Sequence, residues 1–178
     1  MWAYVLMTPI AVLNLVVVNY LYKKFPKATS HDLTYLRAKV VCSPTLAFLG
    51  IHKLRLNNII LANNLELCRT IDQYADILGS ISCEEIAKNS WRYDPPKVLS
   101  DVFESVIGAI LVDTLYDYEK TAVIAETLMD DVLRLLDPSM TTNPVSELLE
   151  WSTKQGCNKV KIECVELCFL QIMLLMDI

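Results

Sequence analysis

Three charged residues lie at helical spacing in the segment DPPKVLSDVFESVIGAI. Lys97 precedes Asp101 by four residues, and Asp101 precedes Glu104 by three, so all three side chains project from one face of a helix. Most of the surrounding residues are apolar. Because burying a carboxylate is costly unless it is paired or bound to a metal ion, two carboxylates on such a helix require partners.

Two kinds of partner would satisfy these carboxylates. Hard cations such as Mg²⁺ are held by one or two carboxylates, and waters and substrate phosphate complete their coordination shell. Alternatively, the carboxylates lie at the edge of the fold in contact with water, or Lys97 neutralises them. The spacing alone leaves these alternatives open.

The composition predicts one helical domain. The chain has 178 residues, 53% of them apolar, with only 4 Gly and 7 Pro, which suits a helical bundle. Its net charge of −5 gives no overall basic surface for nucleic acid. The six cysteines form no CxxC pair, a pattern that favours reduced thiols over zinc ligands or disulfides.

Apolar periodicity predicts about seven helices and no internal repeat. The segment AKNSWRYDPP is expected to be a loop before a long, buried helix that starts at Pro96. The predicted helices cover residues 10–24, a segment capped by Ser30, residues 44–54, 65–81, 96–117, 121–137 and 144–156.

Finer predictions concern the faces and ends of these helices. In helix 65–81 the inward residues are expected to be Leu67, Ile71, Tyr74, Ile77 and Leu78, and in helix 121–137 they are expected to be Val123, Ile124, Leu128, Val132 and Leu135. Thr142 or Asn143 is expected to cap the last helix, and Gly156 to end it in the left-handed conformation. Beyond it, KVKIECVE alternates like a strand and an apolar run follows.

The motif PPKVLSDVFESVIGAILVD strongly resembles the second signature of ribonuclease III domains, in particular the second such domain of Dicer-like proteins. DLTYLRAKVVCSPTLAFLGIHKL resembles the helix pair that follows the first signature of this family, and NPVSELLEWSTKQGCNKVKIE resembles the segment that closes the domain in Dicers. The resemblance covers most of the chain and predicts a ribonuclease III domain over residues 1–163, with residues 1–9 unmatched and an unassigned tail at 164–178.

The resemblance implies an all-α helical bundle that works as a dimer of such domains and hydrolyses double-stranded RNA with Mg²⁺ or Mn²⁺. It implies that Asp101 and Glu104 are metal ligands and that Lys97 lies near the scissile phosphate. Two cations about 3.5–4 Å apart activate the attacking water and stabilise the leaving oxygen, and four carboxylates hold them in this family.

The other two carboxylates of the family belong to its first signature, which reads roughly ERLEFLGDAVLD. Aligning AVLNLVVVNYLY with its end puts Asn14 at the last position. The metal-binding Asp then falls on Ile10, the Glu four residues earlier falls on Leu6, and Pro9 stands where the signature has Gly. We therefore expect that this chain alone does not cleave RNA.

Three functions compete for this sequence. The first is a fragment or degenerate copy of a Dicer-like ribonuclease III that acts on double-stranded RNA in RNA processing or silencing, through an intact parent or partner. The second is a non-catalytic ribonuclease III fold that serves in dimerisation, as a homodimer or with another ribonuclease III domain, or as an RNA scaffold. The third is a membrane-anchored helical protein.

The third function depends on residues 1–22, which carry no charged side chain before Lys23 and Lys24. As a helix they would span roughly 33 Å, enough for a bilayer core. The resemblance that begins near Ala11 instead makes this helix part of the core. We expect no membrane association and an intracellular location, in the cytoplasm or nucleus, without secretion.

The remaining candidates carry little chemistry. His31 and His52 have no ligand partners at suitable spacing, and the serines at 43, 90 and 100 lie in no nucleophile elbow. The basic residues Lys23, Lys24, Lys27, Lys53 and Arg55 are either solvated helix ends or a surface for a phosphate backbone in an assembled dimer.

Overall fold

The structure, a computed structural model, describes residues 2–140 and 144–156. The chain divides into two units, residues 1–141 and residues 142–178. Over the described ranges the chain forms eight α-helices and no strand, which confirms the predicted all-α fold. The helices are α1 (Trp2–Lys24), α2 (Ser30–Val41), α3 (Ser43–Leu54), α4 (Leu65–Ser80), α5 (Cys83–Asn89), α6 (Lys97–Asp113), α7 (Tyr118–Leu133) and α8 (Pro144–Lys154).

Helix α6 is the central helix of the first unit. It packs against α1, α3 and α7, as its apolar sequence predicts. Its buried residues include Leu99, Phe103 and Ile107, each no more than 1% exposed. On α1, four residues that α6 and its neighbours cover are 0% exposed: Leu13, Val16, Val17 and Leu21. The second half of α1 is therefore part of the core.

Several helix starts differ from the prediction; α7, for example, begins at Tyr118 instead of residue 121. Helix α1 begins at Trp2 instead of residue 10 and continues through Pro9, whose missing N–H removes one intrahelical bond. Helix α2 is capped by Thr29, not Ser30. The Thr29 hydroxyl accepts from the Asp32 N–H at 3.2 Å, and the Asp32 carboxylate accepts from the Thr29 N–H at 2.9 Å. This reciprocal capping box satisfies two backbone donors at once.

The segment 87–96, predicted as a loop, is partly helical. Helix α5 extends into it as far as Asn89, and a single 3₁₀ turn follows over Ser90–Arg92. Ser82 caps α5 by accepting from the Glu85 N–H at 3.2 Å, and Ile86 anchors it in the core at 0% exposure. A helix of seven residues is too short to show a clear apolar period.

The inward face of α7 also differs from the prediction. Val123 is 65% exposed and Ile124 39% exposed, whereas Thr121, Ala125 and Met129 are each 0% exposed. The Thr121 hydroxyl donates to the Asp117 carbonyl at 2.8 Å, so this polar side chain is satisfied within the buried stripe. In α4, Ile71 and Leu78 are buried as predicted, but Ile77 is 38% exposed.

Lys24 joins the end of α1 to the end of α7. Its ammonium donates to the carbonyls of Leu133, Arg134 and Leu136 at 2.9, 2.8 and 3.2 Å. These carbonyls lie at or just beyond the C-terminal end of α7, where a cation interacts favourably with the helix dipole. Lys24 is thus used inside the fold, and the suggestion that the basic residues face phosphate in an assembled dimer stays a prediction.

A second basic candidate is also engaged. The Lys53 ammonium lies 2.5 Å from the Asp131 carboxylate, which pairs α3 with α7. Among the described cysteines, Cys42, Cys68 and Cys83 are half-buried free thiols. Within the described residues, no helix combines the length and apolar character needed to cross a membrane.

In the second unit, α8 is followed by Gly156, whose φ is +78°. This confirms the predicted left-handed position, which glycine adopts without a steric penalty. The cap at Thr142 or Asn143, the strand-like segment 159–166, the tail at 164–178 and the boundary after residue 163 lie outside the described residues and stay predictions.

Candidate active site

The start of α6 is held against the start of α3. Pro96 directly precedes the helix, where its fixed φ suits a helical start. Ser100 is 2% exposed; its hydroxyl donates to the Lys97 carbonyl at 2.8 Å and lies 3.2 Å from the Ser43 hydroxyl of α3. This serine contact positions the first two turns of α6, which carry the three charged residues.

The structure brings the three charged residues of α6 together on one face. The Lys97 ammonium forms an ion pair with the Asp101 carboxylate, and Glu104, one turn further along, is half-buried. The side chains of Lys97 and Asp101 remain 77% and 45% exposed. The face therefore lies at the surface of the bundle, and one of its two carboxylates already has a cationic partner.

The electrostatics of this face favour an added positive charge. The hydrogen bond to Asp101 raises the pKa of Lys97, and the charges of Asp101 and Glu104 act in the same direction. Partial burial raises the pKa of Glu104, the Asp101 charge adds to this effect, and Lys97 opposes it. Lys97 is thus firmly protonated at neutral pH, while the two carboxylates repel each other.

The first helix offers no matching carboxylates. Ile10 is half-buried on α1, and Leu6 lies one turn earlier on the same helix; both side chains are hydrocarbon and cannot coordinate a hard cation. In the part of the chain that the structure describes, no three His, Cys, Asp or Glu residues are close enough to hold a metal ion. The donors among the described residues do not fit a two-cation centre.

An arginine that the sequence analysis did not consider joins α2 to α1. Arg37 donates to the Asn14 side-chain oxygen at 2.7 Å, and the Asn14 amide donates to the Ile10 carbonyl at 2.7 Å. These bonds hold the turn of α1 that starts at Ile10. A polar residue inside the apolar pattern of each helix is the only sequence signal of this contact.

The two histidines have structural roles. His52 stacks on Phe48 with ring centroids 4.1 Å apart, and its Nε2 lies 2.9 Å from the Leu78 carbonyl. His31 is exposed and lies beside Tyr35, with ring centroids 4.7 Å apart. Neither histidine belongs to the charged face of α6, in agreement with the sequence analysis.

Comparison with known protein families identifies the family of this chain. The ribonuclease III domain matches residues 10–115, which is more than half of the chain. The chain belongs to the ribonuclease III domain family. The matched range of this ribonuclease III domain includes Ile10, Lys97, Asp101 and Glu104, whereas Leu6 precedes it.

Individual relatives agree with this assignment. The protein Dicer of Schizosaccharomyces pombe is 27% identical over 158 residues, which cover 87% of this chain and 11% of that protein. Ribonuclease 3-like protein 2 of Arabidopsis thaliana is 31% identical over 78% of this chain and 35% of its own length. Ribonuclease 3 of Pseudomonas aeruginosa is 31% identical over 88% of this chain and 58% of its own length. The chain therefore spans less than two thirds of each of these relatives.

Members of the ribonuclease III family act on double-stranded RNA, often as dimers, and generally depend on a divalent metal ion. The face of α6 supplies oxygen ligands of the type that such ions prefer. Helix α1 supplies no such ligand, since it contains no Asp or Glu.

Proposed function

We propose that this chain is a Dicer-like ribonuclease III domain that takes part in processing double-stranded RNA, pairs with another ribonuclease III domain, and does not cut RNA on its own. The proposal rests on one difference between α6 and α1, namely which of them carries acidic residues. Helix α6 presents Asp101 and Glu104, whereas α1 contains no Asp or Glu. The resemblance aligns Ile10 and Leu6 of α1 with the other two ligands of the family. In this proposal Asp101 and Glu104 remain from a ligand set for Mg²⁺ or Mn²⁺, and Lys97 lies where the phosphate would approach.

The absence of cleavage follows from the ligand count. Mg²⁺ keeps near-ideal octahedral geometry and dehydrates reluctantly, so that a fixed pair of such ions needs several carboxylates. Two carboxylates on adjacent turns of one helix hold at most one side of such a centre. Without the second cation, neither the attacking water nor the leaving oxygen is stabilised as the family's chemistry requires.

An exposed apolar surface supports the proposed pairing. Leu15, Val18 and Tyr22 follow one another at helical spacing on α1 and are 52%, 40% and 65% exposed; we call them the α1 stripe. Asn19, on the same side of the helix, donates to the Tyr118 hydroxyl at 3.3 Å, which brings the start of α7 close to this stripe. Contiguous exposed apolar residues of this kind mark interaction sites.

The turn between α6 and α7 is also unusual. Leu115 and Tyr116 have φ values of +57° and +63° and are 88% and 68% exposed. The left-handed conformation costs a non-glycine residue about 1–2 kcal/mol, and strained residues cluster at functional sites. The turn adds two large apolar side chains to the surface available for a second ribonuclease III domain.

The pairing predicts a concentration-dependent dimer. Sedimentation equilibrium of the purified chain is expected to show a species of twice the chain mass, because burying the α1 stripe removes apolar surface from water. Leu15→Asp places a charge inside that interface and is expected to weaken dimerisation by at least about tenfold. Leu61→Asp, at an apolar residue that is 98% exposed elsewhere, serves as the control and should leave the dimer unchanged. Equal weakening by both substitutions would contradict pairing through the α1 stripe.

A further inference from the structure

A cleft lies between the end of α3 and the last turns of α4, and its lining includes no residue of the charged face of α6. Its volume is about 420 Å³, within the range of about 300–1,000 Å³ that is typical of small-molecule sites. Six side chains line it: Ile51, Arg55, Asn57, Ala75, Asp76 and Ser80. The lining therefore combines one cation, one carboxylate and two neutral polar groups with two apolar side chains.

Both walls of the cleft are anchored in the core. Leu56, in the 3₁₀ turn that follows α3, is 2% exposed. It packs so closely on Gly50 of α3 that a Cβ added to this glycine would meet the leucine Cδ1 at 3.0 Å. On the other wall, Leu78 of α4 is 0% exposed, and its carbonyl lies 2.9 Å from Nε2 of His52 on α3. These contacts fix the backbone that carries the polar side chains, so the cleft exists without a ligand.

The polar groups of the cleft have unused hydrogen-bonding capacity. Among the described residues, the side chains of Arg55 and Asp76 have no ion-pair or hydrogen-bond partner. Asn57 Oδ1 is buried and accepts no hydrogen bond from the described residues. The Ser80 hydroxyl donates to the Ile77 carbonyl at 2.8 Å, and its oxygen can still accept. Because a buried acceptor without a donor is unfavourable, donors of a ligand would stabilise this arrangement, directly or through a bridging water.

We propose that this cleft binds one unpaired ribonucleotide of an RNA strand. Arg55 pairs with the phosphate, and Asp76 accepts from a ribose hydroxyl, as an acidic residue does in dinucleotide-binding folds. Asn57 and Ser80 accept from the N–H groups of the base, and the apolar side chains pack against its ring. The inference rests on the proposed function for the choice of RNA as the ligand. It goes beyond that function by assigning a site for a nucleotide outside the duplex.

A ribonucleotide matches this lining because it carries one anionic group and several donors. The single guanidinium corresponds to the phosphate, and the three side chains that offer oxygen acceptors correspond to the ribose hydroxyls and the base. A paired base has its edge occupied, so the nucleotide that enters must come from a loop, a bulge or an end. Since the 2′-hydroxyl is present only in RNA, its bond to the carboxylate would distinguish RNA from DNA.

Nucleotide binding to the purified full-length chain tests this site without duplex RNA and without added metal. Heteronuclear NMR titration measures the affinity for each ribonucleoside 5′-monophosphate and for its 2′-deoxy counterpart. Arg55→Ala and Asp76→Ala remove the two charges of the cleft. Arg69→Ala and Asp72→Ala remove the same charges at exposed residues of α4 outside the lining and are the matched controls. Far-ultraviolet circular dichroism checks the helical content of each protein.

At least one ribonucleotide is expected to bind at least about tenfold more tightly than its deoxy counterpart, because it alone offers the hydroxyl to Asp76. Arg55→Ala and Asp76→Ala should each weaken this binding at least about tenfold, whereas both controls should bind as the unsubstituted chain does. The proposal is overturned if no ribonucleotide binds, if the deoxy form binds equally, or if the controls weaken binding as much as the cleft variants. None of these outcomes depends on cleavage, and cleavage of duplex RNA by the unsubstituted chain would instead contradict the proposed function.

Discussion

Introducing Leu6→Glu together with Ile10→Asp is expected to give this chain Mg²⁺-dependent cleavage of double-stranded RNA. The two substitutions introduce carboxylates at the α1 positions that the resemblance aligns with the metal ligands of the family. Metal ions contribute several kcal/mol of transition-state charge stabilisation. The cleavage rate should therefore rise at least about a hundredfold above that of the unsubstituted chain, measured on a long duplex by denaturing gel electrophoresis.

Matched amide substitutions separate charge from polarity in this experiment. Leu6→Gln with Ile10→Asn introduces polar side chains of the same size as the carboxylates but cannot neutralise a metal ion, so it should stay inactive. Adding Asp101→Ala to the Glu/Asp chain should abolish the gained activity. Thermal unfolding measures how much stability is lost when a charged side chain replaces the half-buried Ile10. A folded Glu/Asp chain that cuts no faster than the amide chain would show that α1 does not complete the site.

Replacing Met129 by alanine is expected to lower the free energy of unfolding by about 2–5 kcal/mol. Met129 is 0% exposed on α7, so its truncation both loses buried apolar surface and leaves a cavity. Val123→Ala, on the same helix at 65% exposure, is the matched control and should change stability by no more than about 0.5 kcal/mol. Urea unfolding with unchanged m-values measures both effects.

The two substitutions together show which face of α7 is buried. The structure predicts that Met129→Ala lowers the free energy of unfolding more than Val123→Ala does. Apolar spacing alone places Val123 inward, and under that arrangement Val123→Ala would destabilise the protein substantially. A larger effect at Val123 than at Met129 would show that α7 is rotated relative to the structure.

The central features of the fold follow from the sequence because they are local. Helix α6 is apolar over most of its 17 residues, so its buried position can be predicted from periodicity. Its length cannot, because the predicted helix 96–117 continues four residues beyond the observed end at Asp113. Side chains three and four residues apart are neighbours on a helix. The sequence therefore also predicts that Lys97, Asp101 and Glu104 lie on one face of α6. Whether Lys97 or a metal ion neutralises Asp101 could not be predicted, because spacing permits both.

The features that the sequence did not predict depend on contacts between distant residues. Lys24 reaches carbonyls more than a hundred residues away, and Arg37 binds Asn14 across 23 positions; neither contact leaves a periodic pattern. The buried position of Thr121 depends on a hydrogen bond that satisfies its hydroxyl, and hydrophobicity alone would place this residue outside. At α2, two neighbouring residues can both act as caps, and only the reciprocal bond with Asp32 selects Thr29.

The central claim is that the metal-binding face of this ribonuclease III domain is incomplete, and cleavage by the purified chain tests it most directly. The unsubstituted chain and Asp101→Ala are incubated with long double-stranded RNA in Mg²⁺ and, separately, in Mn²⁺, and the RNA is resolved on a denaturing gel. The RNA is expected to stay intact with both proteins. Fragments that the unsubstituted chain produces and that Asp101→Ala does not would contradict it.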